Sequence, residues 1–140
     1  MNLEDQVCAL ELAKRLKELG VKQDSYFYWV RKIFSNDPPV DPWIIQDCID
    51  THAFENISAF TVAELGELLP PGIESHVGFN GSPNNITWGC NNQNMHGYKT
   101  CEEGAKHSHI EYADTEADAR AKMLIYLIEN GLVKLYGFDK

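Results

Sequence analysis

The chain has 140 residues, of which 44% are hydrophobic and 24% charged, a composition that is ordinary for a folded globular protein and excludes a largely disordered one. Twelve basic residues stand against twenty-one acidic ones, and the formal net charge of −9 disfavours binding to nucleic acid or to an anionic membrane surface. A chain of this length fits one folding unit, so we expect a single domain over 1–140.

The chain begins with an amphipathic segment that is predicted to form a helix near 3–19. Cys8, Leu12 and Leu16 recur on one face of it, and Gly20 supplies a stop. The run that follows, near 26–33, is aromatic and then β-branched, which predicts a strand. Its aromatic side chains indicate core packing rather than base stacking, because no basic groove accompanies them.

The middle of the chain contains a short predicted helix whose two ends are both indicated by the sequence. The apolar segment 43–49 precedes it and fits either a strand or a helical turn. Thr61 and Glu64 then form a capping box, and the pair Pro70 and Pro71 ends the helix, which is predicted over 61–69.

Three further strands are predicted near 73–79, 86–91 and 107–113. Asn80 followed by Gly81 is a hairpin signal between the first two. The third strand alternates, so its histidines are predicted to share the solvent face while Ile110 and Tyr112 point inward.

The last predicted helix, near 116–130, is the most completely specified element. Thr115 is placed to cap its first turn near Asp118, and Asn130 with Gly131 ends it. Small residues fill its first half, and its second half is apolar nearly all round. We therefore expect this helix to lie against a sheet and to be covered on more than one side.

One grouping of side chains resembles a metal site. Zinc takes four nitrogen or sulfur ligands, but close Cys-x-x-Cys pairs are absent from this sequence. The alternative use of the same residues is thiol chemistry, which requires a base or a positive charge near a cysteine. The candidates are Cys90, His96, Cys101, His107 and His109.

The sequence carries no membrane-spanning apolar run and no secretion signal, so we expect a cytoplasmic protein whose four cysteines are free thiols. No phosphate-binding glycine loop is present, and no cofactor is predicted.

Three blocks of the sequence carry a family resemblance. They are KELGVKQDSYFYWV, SAFTVAELGELLP and TEADARAKMLIYLIENGLV, and together they cover about half of the chain. In these blocks the chain resembles a family of small proteins of bacterial genomes and their phages or prophages, for which no activity is established. The resemblance implies a shared fold and brings no catalytic residues with it.

These observations predict an α+β protein with about three helices packed on a small, mainly antiparallel sheet. The function that they favour is that of a non-enzymatic accessory or interaction protein of phage or prophage type, acting on a protein partner or by self-association. The alternative is a zinc-binding or thiol-dependent enzyme centred on residues 90–109. A weaker third hypothesis is a small-ligand binder that uses Trp88 and the Asn-rich loops.

Overall fold

The computed structural model describes residues 2–32, 43–79, 86–92 and 108–133. Within these ranges the chain forms four helices and six strands, which confirms the predicted α+β class. The helices are α1 (Leu3–Gln6), α2 (Leu10–Glu18), α3 (Val62–Leu68) and α4 (Glu116–Glu129), and the strands are β1 (Tyr28–Arg31), β2 (Trp43–Gln46), β3 (Glu55–Ser58), β4 (Glu74–Phe79), β5 (Ile86–Asn91) and β6 (Ile110–Ala113).

The strands form two three-stranded sheets, where the sequence predicted one. The first sheet has the order β2-β1-β3 and the second the order β4-β5-β6, and every pairing is antiparallel. The segment 43–49, for which the sequence allowed either a strand or a helical turn, contains strand β2. Strand β3 was not predicted, because its polar first half, Glu55 and Asn56, hides the apolar alternation.

The single first helix predicted over 3–19 is wrong, because extended backbone near residues 7–9 separates α1 from α2. Tertiary partners occupy the backbone amides there. The amide of Cys8 donates to the carbonyl oxygen of Phe60 at 2.9 Å, and the amide of Ala9 donates to Oδ1 of Asp118 at 2.7 Å. A continuous helix would need these same amides for its own hydrogen bonds.

The predicted ends of α3 and α4 are confirmed. Thr61 and Glu64 form the reciprocal capping box of α3, and the hydroxyl of Thr115 accepts a hydrogen bond from the amide of Asp118. Gly131 has a φ of 66°, and the amide of Leu132 donates to the carbonyl oxygen of Leu127 at 2.8 Å. A glycine in the left-handed conformation turns the chain back, so that the amides at and after it donate to carbonyl oxygens that would otherwise have no partner at the helix end.

Helix α4 is the centre of the core, as its apolar sequence predicts. It packs against the second sheet, and it also contacts α2 and α3. The first sheet instead packs on α2, where the Trp29 indole N–H donates to the carbonyl oxygen of Cys8 at 3.0 Å. Six residues of α4 are fully buried: Ala117, Ala119, Ala121, Met123, Leu124 and Leu127.

The predicted hairpin signal at Asn80 and Gly81 lies outside the described residues. The strands on either side of it pair as antiparallel neighbours, from Glu74 opposite Asn91 to Phe79 opposite Ile86. The predicted strand 107–113 is described from residue 108 onward and pairs with β5 through β6.

Candidate functional site

The face of the second sheet that meets α4 carries a row of polar side chains, here called the polar row. Ser75, Cys90 and Glu111 lie opposite one another on β4, β5 and β6. Asn92 and His109 extend the same face by one further step. From α4 the row is completed by Glu116, Arg120 and Tyr126.

One end of the polar row is an ion pair shared with a hydroxyl. Arg120 Nη2 lies 2.9 Å from Glu116 Oε2, and each side chain is about a quarter exposed. The Ser75 hydroxyl donates to Glu116 Oε2 at 2.6 Å and accepts from Arg120 Nε and Nη2 at 3.2 and 3.1 Å. Arg120 Nη1 also donates to the carbonyl oxygen of Val62 at 3.3 Å. Arg120 therefore joins the start of α3, strand β4 and α4.

The glycine at position 66 leaves room for that arginine. A Cβ atom placed on Gly66 of α3 would overlap Nη1 of Arg120. The absence of a side chain on this turn of α3 is thus what lets the guanidinium reach the carbonyl of Val62.

The other end of the polar row is organised by His109. Its Nε2 lies 2.8 Å from Oε1 of Glu111, and its ring stacks on Tyr126 with 3.8 Å between centroids. Its backbone amide donates to Oδ1 of Asn92 at 2.7 Å, and the Asn92 amide donates to the His109 carbonyl oxygen at 3.3 Å. These contacts join β5, β6 and α4 around Asn92, which is fully buried.

Cys90 lies between the two ends and is completely buried. Burial raises the pKa of its thiol to about 12, and the neighbouring Glu116 and Glu111 act in the same direction, while Arg120 opposes them. At neutral pH the sulfur is therefore protonated and is a poor nucleophile.

The polar row brings together two of the five candidate site residues named from the sequence. Cys90 and His109 lie on the same face of neighbouring strands, because Cys90 is opposite Glu111, two residues beyond His109. No hydrogen bond joins them among the described contacts. His96, Cys101 and His107 lie outside the described residues, so a zinc site built from all five stays a prediction.

Among the residues that the structure describes, no group of three or more His, Cys, Asp or Glu side chains is arranged to hold a metal ion. Of the four cysteines, Cys8, Cys48 and Cys90 are described, and all three are free thiols, as expected.

The predicted orientation of the last strand is wrong. His109 and Glu111 face α4, whereas Tyr112 is 56% exposed on the outer face. The reason is tertiary: on the inner face the His109 ring stacks on Tyr126 of α4, and its Nε2 lies 2.8 Å from Oε1 of Glu111. One other contact of the polar row could have been predicted from the sequence. Glu116 and Arg120 have the i, i+4 spacing of an ion pair on a helix.

A cleft opens beside the Glu116 end of the polar row. Its volume is about 410 Å³. Trp88 comes from the same strand as Cys90, two residues before it, so both side chains are on the inner face. The cleft is lined by Asp5, Gln6, Val62, Trp88, Asp114, Thr115 and Glu116.

A second surface feature is the loop 47–54 between β2 and β3, here called the β2–β3 loop. The carbonyl oxygen of Asp50 accepts from the amide of Ala53 at 3.1 Å, which closes a turn. Ile49 and Phe54 flank this turn and are 52% and 61% exposed.

Comparison with protein families, with curated proteins and with solved structures finds no match for this chain. Within the described ranges, the helices are too short or too polar for any of them to cross a lipid bilayer.

Proposed function

We propose that this protein is a non-enzymatic accessory protein, of the phage or prophage type that its sequence resembles, and that it works by binding another protein. The observation that carries the proposal is the β2–β3 loop, which holds Ile49 and Phe54 out into solvent. Large apolar side chains that are exposed on one loop lose solvent contact favourably when a partner covers them.

The β2–β3 loop is held in one conformation before any partner binds. The Asp50 amide donates to Oδ1 of Asn56 at 3.0 Å, and Nδ2 of Asn56 donates back to the Asp50 carbonyl oxygen at 3.0 Å. Nζ of Lys32 lies 4.0 Å from the Asp50 carboxylate. A preorganised loop loses less conformational entropy on binding than a flexible one.

The chemistry of the tip is that of an interaction hot spot. The guanidinium carbon of Arg31 lies 4.9 Å from the centroid of the Phe54 ring. Arginine and aromatic side chains are the types that dominate protein interfaces, because they combine a large apolar area with polar edges.

The shape and charge of the tip favour a different protein over a second copy of this chain. An exposed loop fits a groove, and the clefts of the described residues contain carboxylates. Asp5 and Asp114 line the cleft beside α4, and another cleft is lined by Asp24, Glu64 and Glu67 together with Lys22. The tip carries carboxylates of its own at Asp47 and Asp50. Like charges would meet in a head-to-tail dimer, so the expected occupant is a partner with an apolar groove free of acidic residues.

One feature of the polar row argues against thiol catalysis there. Cys90 is completely buried, and burial raises the pKa of its thiol to about 12, so the sulfur is not ionised at neutral pH. A thiol enzyme at this position would need the opposite arrangement, with an ionised sulfur open to substrate.

The test uses exposed positions, so that folding is preserved. Tagged wild type, Phe54→Ser, Ile49→Ser and the control Tyr26→Ser are used to capture proteins from the cells that encode the chain. Tyr26 is 73% exposed on a different part of the surface. We expect one protein to be captured by wild type and Tyr26→Ser and lost with both loop variants, and the purified pair to bind directly.

Two results would overturn the proposal. One is a set of captured proteins that is the same for all four baits. The other is a sedimentation experiment in which wild type self-associates and Phe54→Ser does not, since the tip would then bind a second copy of this chain.

A further inference from the structure

The cleft beside α4 is a concave, mostly apolar groove that the proposed partner surface does not use. Trp88 of β5 and Val62 of α3 form its apolar walls, and α1 and the start of α4 close it. Its volume of about 410 Å³ is in the range of sites that hold a small ligand or one large side chain. The shape thus provides a ligand-sized space, independently of charge.

The charges around this groove are unbalanced. Glu116 is neutralised by Arg120 at 2.9 Å and is also bonded to Ser75. No ion pair with a described lysine or arginine engages Asp5 or Asp114, the other two carboxylates of the lining. As far as the described residues go, the groove therefore presents two carboxylates without an ion-pair partner in a lining that also contains the Trp88 indole.

We infer that the cleft is a binding site for an arginine side chain of a peptide segment from another molecule. An indole face attracts a cation, and a guanidinium group is planar, so it stacks on an aromatic ring while it donates hydrogen bonds to carboxylates. The apolar walls suit the methylene stem of the same side chain. The negative charge of the lining selects this occupant over an acidic or a phosphorylated one.

This site is separate from the β2–β3 loop, and the two proposals fail independently. The cleft is built from α1, α3, β5 and the start of α4, whereas the loop belongs to the first sheet. An arginine-bearing ligand in the cleft could come from the same partner or from a second one, and the chemistry of recognition is the same in both cases.

The experiment measures binding of N-acetyl-arginine amide by the chemical shift of the Trp88 indole N–H, which is assigned with a Trp88→Phe variant. The uncharged counterpart, N-acetyl-citrulline amide, has nearly the same size and a planar end group, in which a urea oxygen replaces one NH2 of the guanidinium. We expect the arginine compound to bind about tenfold more tightly than the citrulline compound at low salt, and the difference to shrink as salt is added.

The variants Asp114→Asn and Asp5→Asn keep the side-chain shape and remove one charge each, and neither carboxylate makes a described hydrogen bond whose loss would impair folding. Each is expected to weaken binding of the arginine compound by about fivefold. The matched control is Glu11→Gln on α2, which also removes one negative charge, at a side chain that is 84% exposed and does not line the cleft. Thermal unfolding of each variant verifies that it is folded.

Equal binding of the arginine and citrulline compounds would overturn the inference, as would equal effects of Asp114→Asn and Glu11→Gln. A shift of the Trp88 signal with methyl glucoside and none with the arginine compound would also overturn it, because the groove would then be a neutral sugar site.

Discussion

The two sheets hold their helices by different means. The first sheet meets α2 mainly through aromatic and aliphatic side chains, with Trp29 and Trp43 beside the helix and Ile57 in the core. Its ion pair with α2, between Lys17 and Glu55 at 3.5 Å, is at the surface. The second sheet meets α4 through the polar row, whose members are hydrogen bonded at both ends with the buried Cys90 between them. Apolar contacts are non-directional, whereas hydrogen bonds fix distance and angle.

This difference indicates which part of the molecule contributes stability and which contributes a fixed geometry. Burial of apolar side chains supplies most of the free energy of folding, while a buried polar network gains little over water and is costly when half satisfied. The first sheet should therefore respond to lost volume. The second should respond to the loss of one partner from a pair.

The largest expected effect is in the first sheet. Ile57 is 1% exposed, and Ile57→Ala removes three methyl or methylene groups from the core. We expect the free energy of unfolding to fall by about 3 kcal/mol, because a cavity replaces packed atoms. Urea unfolding followed by circular dichroism measures it.

The control for that change is Ile44→Ala in β2, at the opposite edge of the same sheet. Ile44 is 42% exposed, so its truncation should cost less than about 1 kcal/mol. Equal losses at positions 44 and 57 would contradict the placement of the core under the first sheet.

A smaller effect is expected from breaking the polar row. Arg120→Met keeps the apolar stem of the side chain and removes its charge. Among the described residues, Glu116 then has only the Ser75 hydroxyl as a partner, and the carbonyl oxygen of Val62 loses the hydrogen bond from the guanidinium. We expect a loss of about 2 kcal/mol, because a partly buried carboxylate loses its counter-charge. Denaturant unfolding of the single variant gives this value.

The double variant Glu116→Gln with Arg120→Met tests whether the two residues act as a pair. Because removal of both charges leaves no uncompensated carboxylate, its loss of stability should be smaller than the sum of the two single losses. If the loss of stability in the double variant equals the sum of the two single losses, Glu116 and Arg120 are not energetically coupled.

The effect that is smallest at neutral pH concerns thiol chemistry, and it grows only above pH 9. Burial raises the pKa of Cys90 from 9.0 to about 12, so the folded state keeps a proton that the unfolded chain releases. This contribution to stability is complete below pH 9 and is lost as the pH rises from 9 towards 12. Within that window Cys90 should add a downward slope of about 1.4 kcal/mol per pH unit, which Cys90→Ala removes.

Alkylation by iodoacetamide, read by peptide mass spectrometry, verifies the same point at neutral pH. The exposed Cys48 should react without denaturant, whereas Cys90 and the equally buried Cys8 should react only after unfolding. Native alkylation of Cys90 at the rate of Cys48 would show that the inner face of the second sheet is open.

The candidate site was only partly predictable. Cys90 and His109 were named from the sequence, and the structure does bring them to one face. Their neighbours Ser75 and Tyr126 come from distant parts of the chain, and Asn92 is 17 residues from the His109 amide that it accepts from, so these contacts leave no periodic signal. The cleft was missed for the same reason, although Trp88 had been named as a possible ligand contact.

The sequence by itself determined the ends of α3 and α4 and the position of most strands. Thr61 with Glu64, Thr115 with Asp118, and Gly131 act within one helical turn, so their effect depends on neighbours only three to five residues away.

Tertiary structure alone decided three other features: the break between α1 and α2, the division of the strands into two sheets, and the inward direction of His109. In the break and at His109, a backbone amide or a polar side chain finds its partner on a distant element, as the Ala9 amide does on Asp118 and the His109 ring does on Tyr126. Buried polar groups need such partners, and local pattern does not specify which distant element supplies them.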